Sequence, residues 1–144
     1  MVPAQLDAFW VEFFSINPKL YWAESRFTLG LINSPYSVLS PKVIGSVMFG
    51  QDNLGANTGW TGSGFAQAGA FGVICYSMVI GLFFSYLQMA ARRLGNPLVA
   101  SMTFPIMFTI LLSADLVTSL LTHGLVAMIL CIGIIYRFPH QKFI

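Results

Sequence analysis

Charge is what this chain has least of. Seven Lys and Arg and five Asp and Glu make up 8% of its 144 residues, about a third of the ~25% usual in soluble domains. So few charges leave too little polar surface to coat a water-soluble globule. The net formal charge of +2 is too small to hold a nucleic-acid backbone, so nucleic acid is not an expected partner. Only two cysteines occur, Cys75 and Cys131, and both fall inside apolar runs. They read as small buried hydrophobes, which excludes a disulfide framework or a cysteine metal site. A secretory signal is not expected, because residues 1–14 lack a basic start and already carry Asp7 and Glu12.

What the chain does have is apolar length. Residues 64–89 and 97–136 are two long hydrophobic runs, and a spanning helix needs about 20 predominantly apolar residues. The second run is long enough for a helical hairpin. The expected fold is all-α: a multi-pass integral membrane protein with transmembrane helices A (64–89), B (97–113) and C (116–136). A short tail with His140, Gln141 and Lys142 follows. Asn96-Pro97 starts helix B, Pro105 kinks it, and Asp115 marks the hairpin tip.

Residues 1–63 form a separate segment that holds most of the Pro, Asn, Ser and charge. Residues 5–14 place Leu6, Phe9, Trp10, Phe13 and Phe14 near one helical face, the pattern of a short helix lying in the membrane interface. Asn17-Pro18 ends it. Residues 21–32 suggest a second amphipathic helix. Ser40-Pro41 with Gly50 as the stop predicts a third over 41–49. The aromatics of this front end, Tyr21 and Trp22 included, are expected to anchor the segment at the interface. Residues 51–63 are a Gly/Asn-rich turn region. Within helix A, Gly64, Ala68 and Gly72 form one small-residue stripe, and Ser77, Gly81 and Ser85 form another. Both invite close helix packing.

The basic residues set an orientation. Arg92 and Arg93 follow helix A, and Arg137 and Lys142 follow helix C. Positive residues favour the cytoplasmic side. Residues 1–63 and Asp115 are therefore expected outside and the C-terminus in the cytoplasm. A 63-residue front segment without a signal would have to cross the membrane unaided. The sequence is therefore expected to be the last part of a longer multi-pass protein.

The run Asn57-Thr58-Gly59-Trp60-Thr61-Gly62-Ser63-Gly64-Phe65-Ala66-Gln67-Ala68-Gly69 leads directly into Phe71-Gly72-Val73 and Tyr76-Ser77, with Gly81 beyond. Upstream stand Asn17-Pro18, Tyr21, Tyr36 and Ile44-Gly45. Over residues 15–90 this resembles the carboxy-terminal part of bacterial oligosaccharide repeat-unit polymerases, the O-antigen or capsule polymerases of the Wzy type. The resemblance implies a glycosyltransferase of the bacterial inner membrane. Such an enzyme moves a growing glycan from undecaprenyl pyrophosphate onto a lipid-linked repeat unit at the outer face, without a metal or other cofactor. The partners it implies are the undecaprenyl-pyrophosphate-linked oligosaccharide, the lipid bilayer, further transmembrane helices from a missing amino-terminal part or partner subunits, and a chain-length regulator. Three spans are fewer than such enzymes have.

A leaving pyrophosphate needs positioned cations. The outer segment offers Lys19, Arg26 and Lys42; Arg26 comes first because its fork binds phosphate oxygens bidentately. Arg26 also reads as a solvated interface residue pairing with Glu24 or with lipid headgroups. The bases available to the attacking sugar hydroxyl are Asp52, His123, Glu24 and Asp115. Asp52 also suits ordinary turn chemistry. His123 falls inside helix C, where an ionisable residue is a functional candidate, or a neutral histidine bonded to a neighbouring helix. Asn53, Asn57 and Thr58 are candidate partners for sugar hydroxyls and Trp60 a stacking platform. Asn57-Thr58-Gly59 reads as well as a turn into a helix.

Two other classes fit a chain of this kind. One is a transporter or flippase piece for the glycan lipid, and the other is a non-enzymatic assembly protein that packs through helix A. A transporter needs polar residues along its spans, whereas here the polar chemistry collects in the outer segment.

Overall fold

The structure, a computed structural model, describes residues 3–137. It is all-helical, with no strand among the described residues. The elements are α1 (Pro3–Ile16), a single 3-10 turn (Arg26–Thr28), α2 (Ser40–Phe49), α3 (Trp60–Ala68), α4 (Ala70–Leu94), α5 (Asn96–Leu112), α6 (Leu116–Leu121) and α7 (Leu125–Arg137). The tail residues His140, Gln141 and Lys142 lie outside the described residues.

Two apolar cores form. The front core joins α1, α2 and α3 through Trp10, Phe13, Phe14, Leu20, Ile44 and Ala66. The second joins α4 to α5, α6 and α7 through Tyr76, Ile80, Phe83, Leu87, Met107, Ile110, Leu125 and Ile132. Three of the four aromatics of α1, Trp10, Phe13 and Phe14, thus fill a protein core, while Phe9 stays half-buried against Phe49. Phe14 is fully buried, and the Trp10 indole donates to Ala56 O at 2.8 Å. Burial of these rings outweighs their surface preference because α2 and α3 close over the same helical face.

Helix A of the sequence reading is two helices. The chain breaks at Gly69, whose φ of 63° and ψ of −143° suit glycine alone. The helix α3 then folds back on α4. Gly64 and Gly72 meet so closely that a Cβ on Gly72 would run into Gly64 O. The first small-residue stripe therefore does permit close backbone approach, but between the two halves of one expected helix. The second stripe is open. Ser77, Gly81 and Ser85 are exposed, and nothing lies within 4 Å of a Cβ at Gly81. Both serine hydroxyls turn back to their own helix, Ser77 to Val73 O at 2.7 Å and Ser85 to Gly81 O at 3.0 Å.

Helix B appears as α5, one residue longer at its start, with Pro105 inside it. Helix C is broken. Asp115 caps α6 by accepting from Val117 N and Thr118 N, and Gly124 at φ 82° turns the chain into α7. Among the described residues α4 alone, at 25 residues and with an 18-residue stretch of mean hydropathy 1.9, is long and apolar enough to cross a membrane. At about 1.5 Å per residue it reaches roughly 37 Å. The helices α5 and α7 are apolar but shorter, at 17 and 13 residues.

The expected helix over 21–32 shrinks to the 3-10 turn. Leu20 N and Tyr21 N bond to Ala66 O and Gln67 O at the end of α3, and Tyr21 and Trp22 take left-handed backbone angles of 47° and 61° to do so. The helix α2 forms where expected and stops at Gly50. Ser40 is not its side-chain cap, however. That role falls to Glu24, sixteen residues earlier.

Candidate functional site

A polar cleft of about 290 Å³ opens between the front segment and the α5–α6 end of the bundle. Glu24 and Ser25 come from the loop before the 3-10 turn, Asn57 from the loop before α3, and Gln67 from α3. Asp115, Thr118 and His123 come from α6 and its two flanking turns. No Lys or Arg lines it.

Its two carboxylates are held from both sides. Glu24 Oε2 accepts from Ser40 N at 2.9 Å and Ser40 Oγ at 2.7 Å, and its Oε1 accepts from Ser34 Oγ at 3.2 Å. Asp115 Oδ1 accepts from the Tyr76 hydroxyl at 2.9 Å, while Oδ2 accepts from Val117 N at 3.0 Å and Thr118 N at 3.2 Å. Both carboxylates act as remote or local helix caps, and their acceptor sites are largely taken. Trp22 ties the halves of the site together. Its indole N–H donates to the Tyr76 oxygen at 3.2 Å, and its backbone N–H donates to Gln67 Oε1 at 2.6 Å.

His123 differs from these. It sits exposed in the turn between α6 and α7, and its ring makes no hydrogen bond among the described residues. The expectation of a histidine within a continuous helix C is thus corrected. Gly124 ends the helical run and brings the imidazole out to the cleft. Of the groups there, it is the one whose nitrogens are left to take or give a proton.

Among the residues picked out from sequence, Glu24, Asn57, Asp115 and His123 share this cleft. Arg26 and Lys42 do not line it, though each is next in the chain to a residue that does, Ser25 and Pro41. Arg26 is exposed one residue beyond Ser25, and Lys42 lines a shallow pocket of about 300 Å³ on the other side of Glu24, with Ser34 and Tyr36. The rest lie elsewhere. Lys19 donates to Phe14 O and lies 4.3 Å above the Phe65 ring, so it finishes α1 instead of facing the cleft. Desolvation by burial pulls its pKa below the ordinary 10.5. Asp52 is exposed and accepts from Ser46 Oγ at 2.7 Å, and Asn53 beside it is exposed too. Thr58 is buried and donates to Asp7, whose Oδ1 also takes Gly59 N at 3.2 Å and so caps α3 from α1. Trp60 packs half-buried against the bundle core.

Gln67 and Thr118 escaped the sequence reading. A lone glutamine in an otherwise small and apolar run was the available signal for Gln67. Thr118 had none, because only the break at residues 122–124 turns α6 toward the cleft.

No protein-family model, curated protein or solved structure matches this chain. The fold and site define an all-helical protein with one helix fit to cross a bilayer and a polar cleft beside that helix's first turns.

Proposed function

We propose that this chain is the outer-face portion of a lipid-linked oligosaccharide polymerase in the bacterial inner membrane, of the O-antigen or capsule type. It would transfer a glycan from undecaprenyl pyrophosphate to the sugar of a lipid-linked repeat unit. The observation that carries this reading is the cleft itself: an unbonded imidazole among fixed carboxylates and amides, set at one end of an apolar bundle. Carboxylates and amides with no cation among them suit sugar hydroxyls better than phosphate. In this reading Arg26 and Lys42, each next in the chain to a residue of the cleft's lining, reach a pyrophosphate at its rim.

In this reading His123 accepts the proton of the acceptor hydroxyl. That oxygen forms the new bond to the donor's anomeric carbon, and the bond to pyrophosphate breaks with its electron pair leaving on phosphate. Arg26 offsets the charge that develops there.

The same reading has α4, α5 and the broken pair α6–α7 as three passes, with residues 3–63 outside. The basic ends support it: the Arg93 guanidinium lies 4.5 Å from the centre of the Tyr136 ring, so Arg92, Arg93 and Arg137 gather at one end, as the cytoplasmic side favours. The cleft then belongs to the opposite side. The open Ser77–Gly81–Ser85 face leaves room for helices from the remainder of a longer chain or from partner subunits.

The test is restoration of long O-chains, read as a lipopolysaccharide ladder, in a polymerase-deficient strain by the gene that carries this chain. His123→Ala and Arg26→Ala should each abolish the ladder at unchanged protein level. A ladder that survives His123→Ala removes the base from the mechanism. No ladder from the unaltered gene removes the polymerase.

A further inference from the structure

Residues 26–32 carry four large apolar side chains that neither core covers. Phe27 is 80% exposed, Leu29 86%, Leu31 87% and Ile32 42%. This exposure is held in place. Ser25 Oγ accepts from Phe27 N at 3.2 Å, and Thr28 Oγ1 donates to Trp22 O at 2.9 Å and Ser25 O at 2.8 Å. Leu29 at φ 49° and Gly30 at φ 77° then turn the tip back on itself. The left-handed angle at Leu29 is unfavourable for a leucine, yet it presents that side chain outward.

Two features say what meets these side chains. Between this loop and α6–α7 runs a groove of about 570 Å³, lined almost wholly by carbon, with Trp22, Phe27 and Ile32 on one wall and Leu121 and Val126 on the other. Val126 begins the outer flank of α7, which continues through Leu130 and Ile134, exposed by 60% and 57%. The loop therefore extends an apolar helix flank without a polar gap. Charge is also sorted. Arg26 stands exposed at one edge, and no further charged residue occurs until Lys42.

We propose that residues 26–32 are a wedge seated in the outer leaflet of the bilayer. Phe27, Leu29 and Leu31 lie among phospholipid acyl chains, and Arg26 lies at the level of the phosphates. The inference rests on the reading that α4 crosses the membrane. It adds a reason for the loop's strained shape: the wedge fixes the depth of Arg26, and so the depth at which the cleft meets a lipid-linked pyrophosphate.

The test uses the whole chain in vesicles of phosphatidylcholine and phosphatidylglycerol, with Cys75→Ala and Cys131→Ala as background. Nitroxide labels go on Leu29→Cys and Leu31→Cys, on Leu82→Cys midway along α4, and on Gln51→Cys in the outer segment. Collision with oxygen, which concentrates in hydrocarbon, is compared with collision with a water-soluble nickel chelate. The wedge predicts oxygen over nickel at positions 29 and 31, as at 82, and nickel over oxygen at 51. Nickel access at 29 and 31 overturns it, as does occlusion from both reagents, which would mean a protein partner covers the loop. The label at 82 separates the causes: lipid contact there leaves the crossing of α4 standing when the wedge fails, whereas nickel access there removes both.

Discussion

The Tyr76 hydroxyl, on α4, donates to Asp115 Oδ1 at 2.9 Å. One bond thereby fixes the cleft's second carboxylate to the helix that is long enough to cross a membrane. The other oxygen of Asp115 is spent on the first turn of α6. Trp22 completes the link by donating to the same tyrosine, so the front loop, α4 and α6 share one polar junction.

Asp115→Asn tests charge apart from capping. Asparagine's one oxygen can keep the cap on Val117 N and Thr118 N, with its NH2 then facing the Tyr76 oxygen, which must turn from donor to acceptor, whereas Asp115→Ala loses the cap at a cost of about 1 kcal/mol. Protein level in membranes should be near normal for Asp115→Asn and lower for Asp115→Ala, read by immunoblot. A ladder lost in Asp115→Asn but kept in Tyr76→Phe, which removes the hydroxyl and leaves the carboxylate, would show that the negative charge itself serves the reaction.

Glu24→Ala should destabilise the front segment. It leaves the buried Ser40 N–H, and the Ser40 hydroxyl with it, without the partner that caps α2. An orphaned buried donor costs about 1–3 kcal/mol. Proteolysis of the purified protein should cut within residues 34–40 faster than in the parent, while Glu24→Gln lies between the two.

Glycine substitutions should divide sharply. Gly45→Ala and Gly72→Ala each drive a Cβ into a backbone carbonyl, of Leu54 and of Gly64, and overpacking of this kind costs about 1–3 kcal/mol. Gly81→Ala meets nothing within 4 Å and gains helix propensity of about 1 kcal/mol. Thermal aggregation in detergent should therefore begin earlier for the first two and no earlier for the third. An early onset for Gly81→Ala would reveal a partner helix on that face.

Tyr36 gives a pH signature. Burial, then the nearby Glu24 charge, raises its phenol above the ordinary 10.0, and its hydroxyl donates to Pro18 O at 2.8 Å. Above about pH 10 the unfolded chain has lost this proton while the folded chain keeps it, so the contribution to stability falls as pH rises through that range. Absorbance at the phenolate band should show a late-titrating component that loses one tyrosine's amplitude in Tyr36→Phe. An undiminished late component in Tyr36→Phe would take Tyr36 out of it.

Cys131 tests the path of α7. Its side chain is exposed on the protein between Leu130 and Ile132. A membrane-impermeant maleimide should leave it unlabelled in intact membranes and label it after denaturation. Rapid labelling in membranes would place α7 in water.

Local pattern determined a good deal of this protein. The scarcity of charge and the apolar run ending at Arg92-Arg93 specify α4. Ser40-Pro41 and Gly50 bracket α2, and Asn96-Pro97 starts α5, because helix periodicity and end signals act between residues a few positions apart. The candidate site was legible only in pieces: Glu24, Asn57, Asp115 and His123 were each visible, but not that one cleft gathers them with Gln67 and Thr118. The tertiary structure alone decided that Gly69 folds α3 back onto α4, that three of the four rings of α1 are core, and that Glu24 caps α2 while Asp7 caps α3. Each of these joins groups far apart in sequence. A glycine or a carboxylate carries many local options, and the one adopted depends on which distant backbone comes within hydrogen-bonding or van der Waals reach once the two cores close.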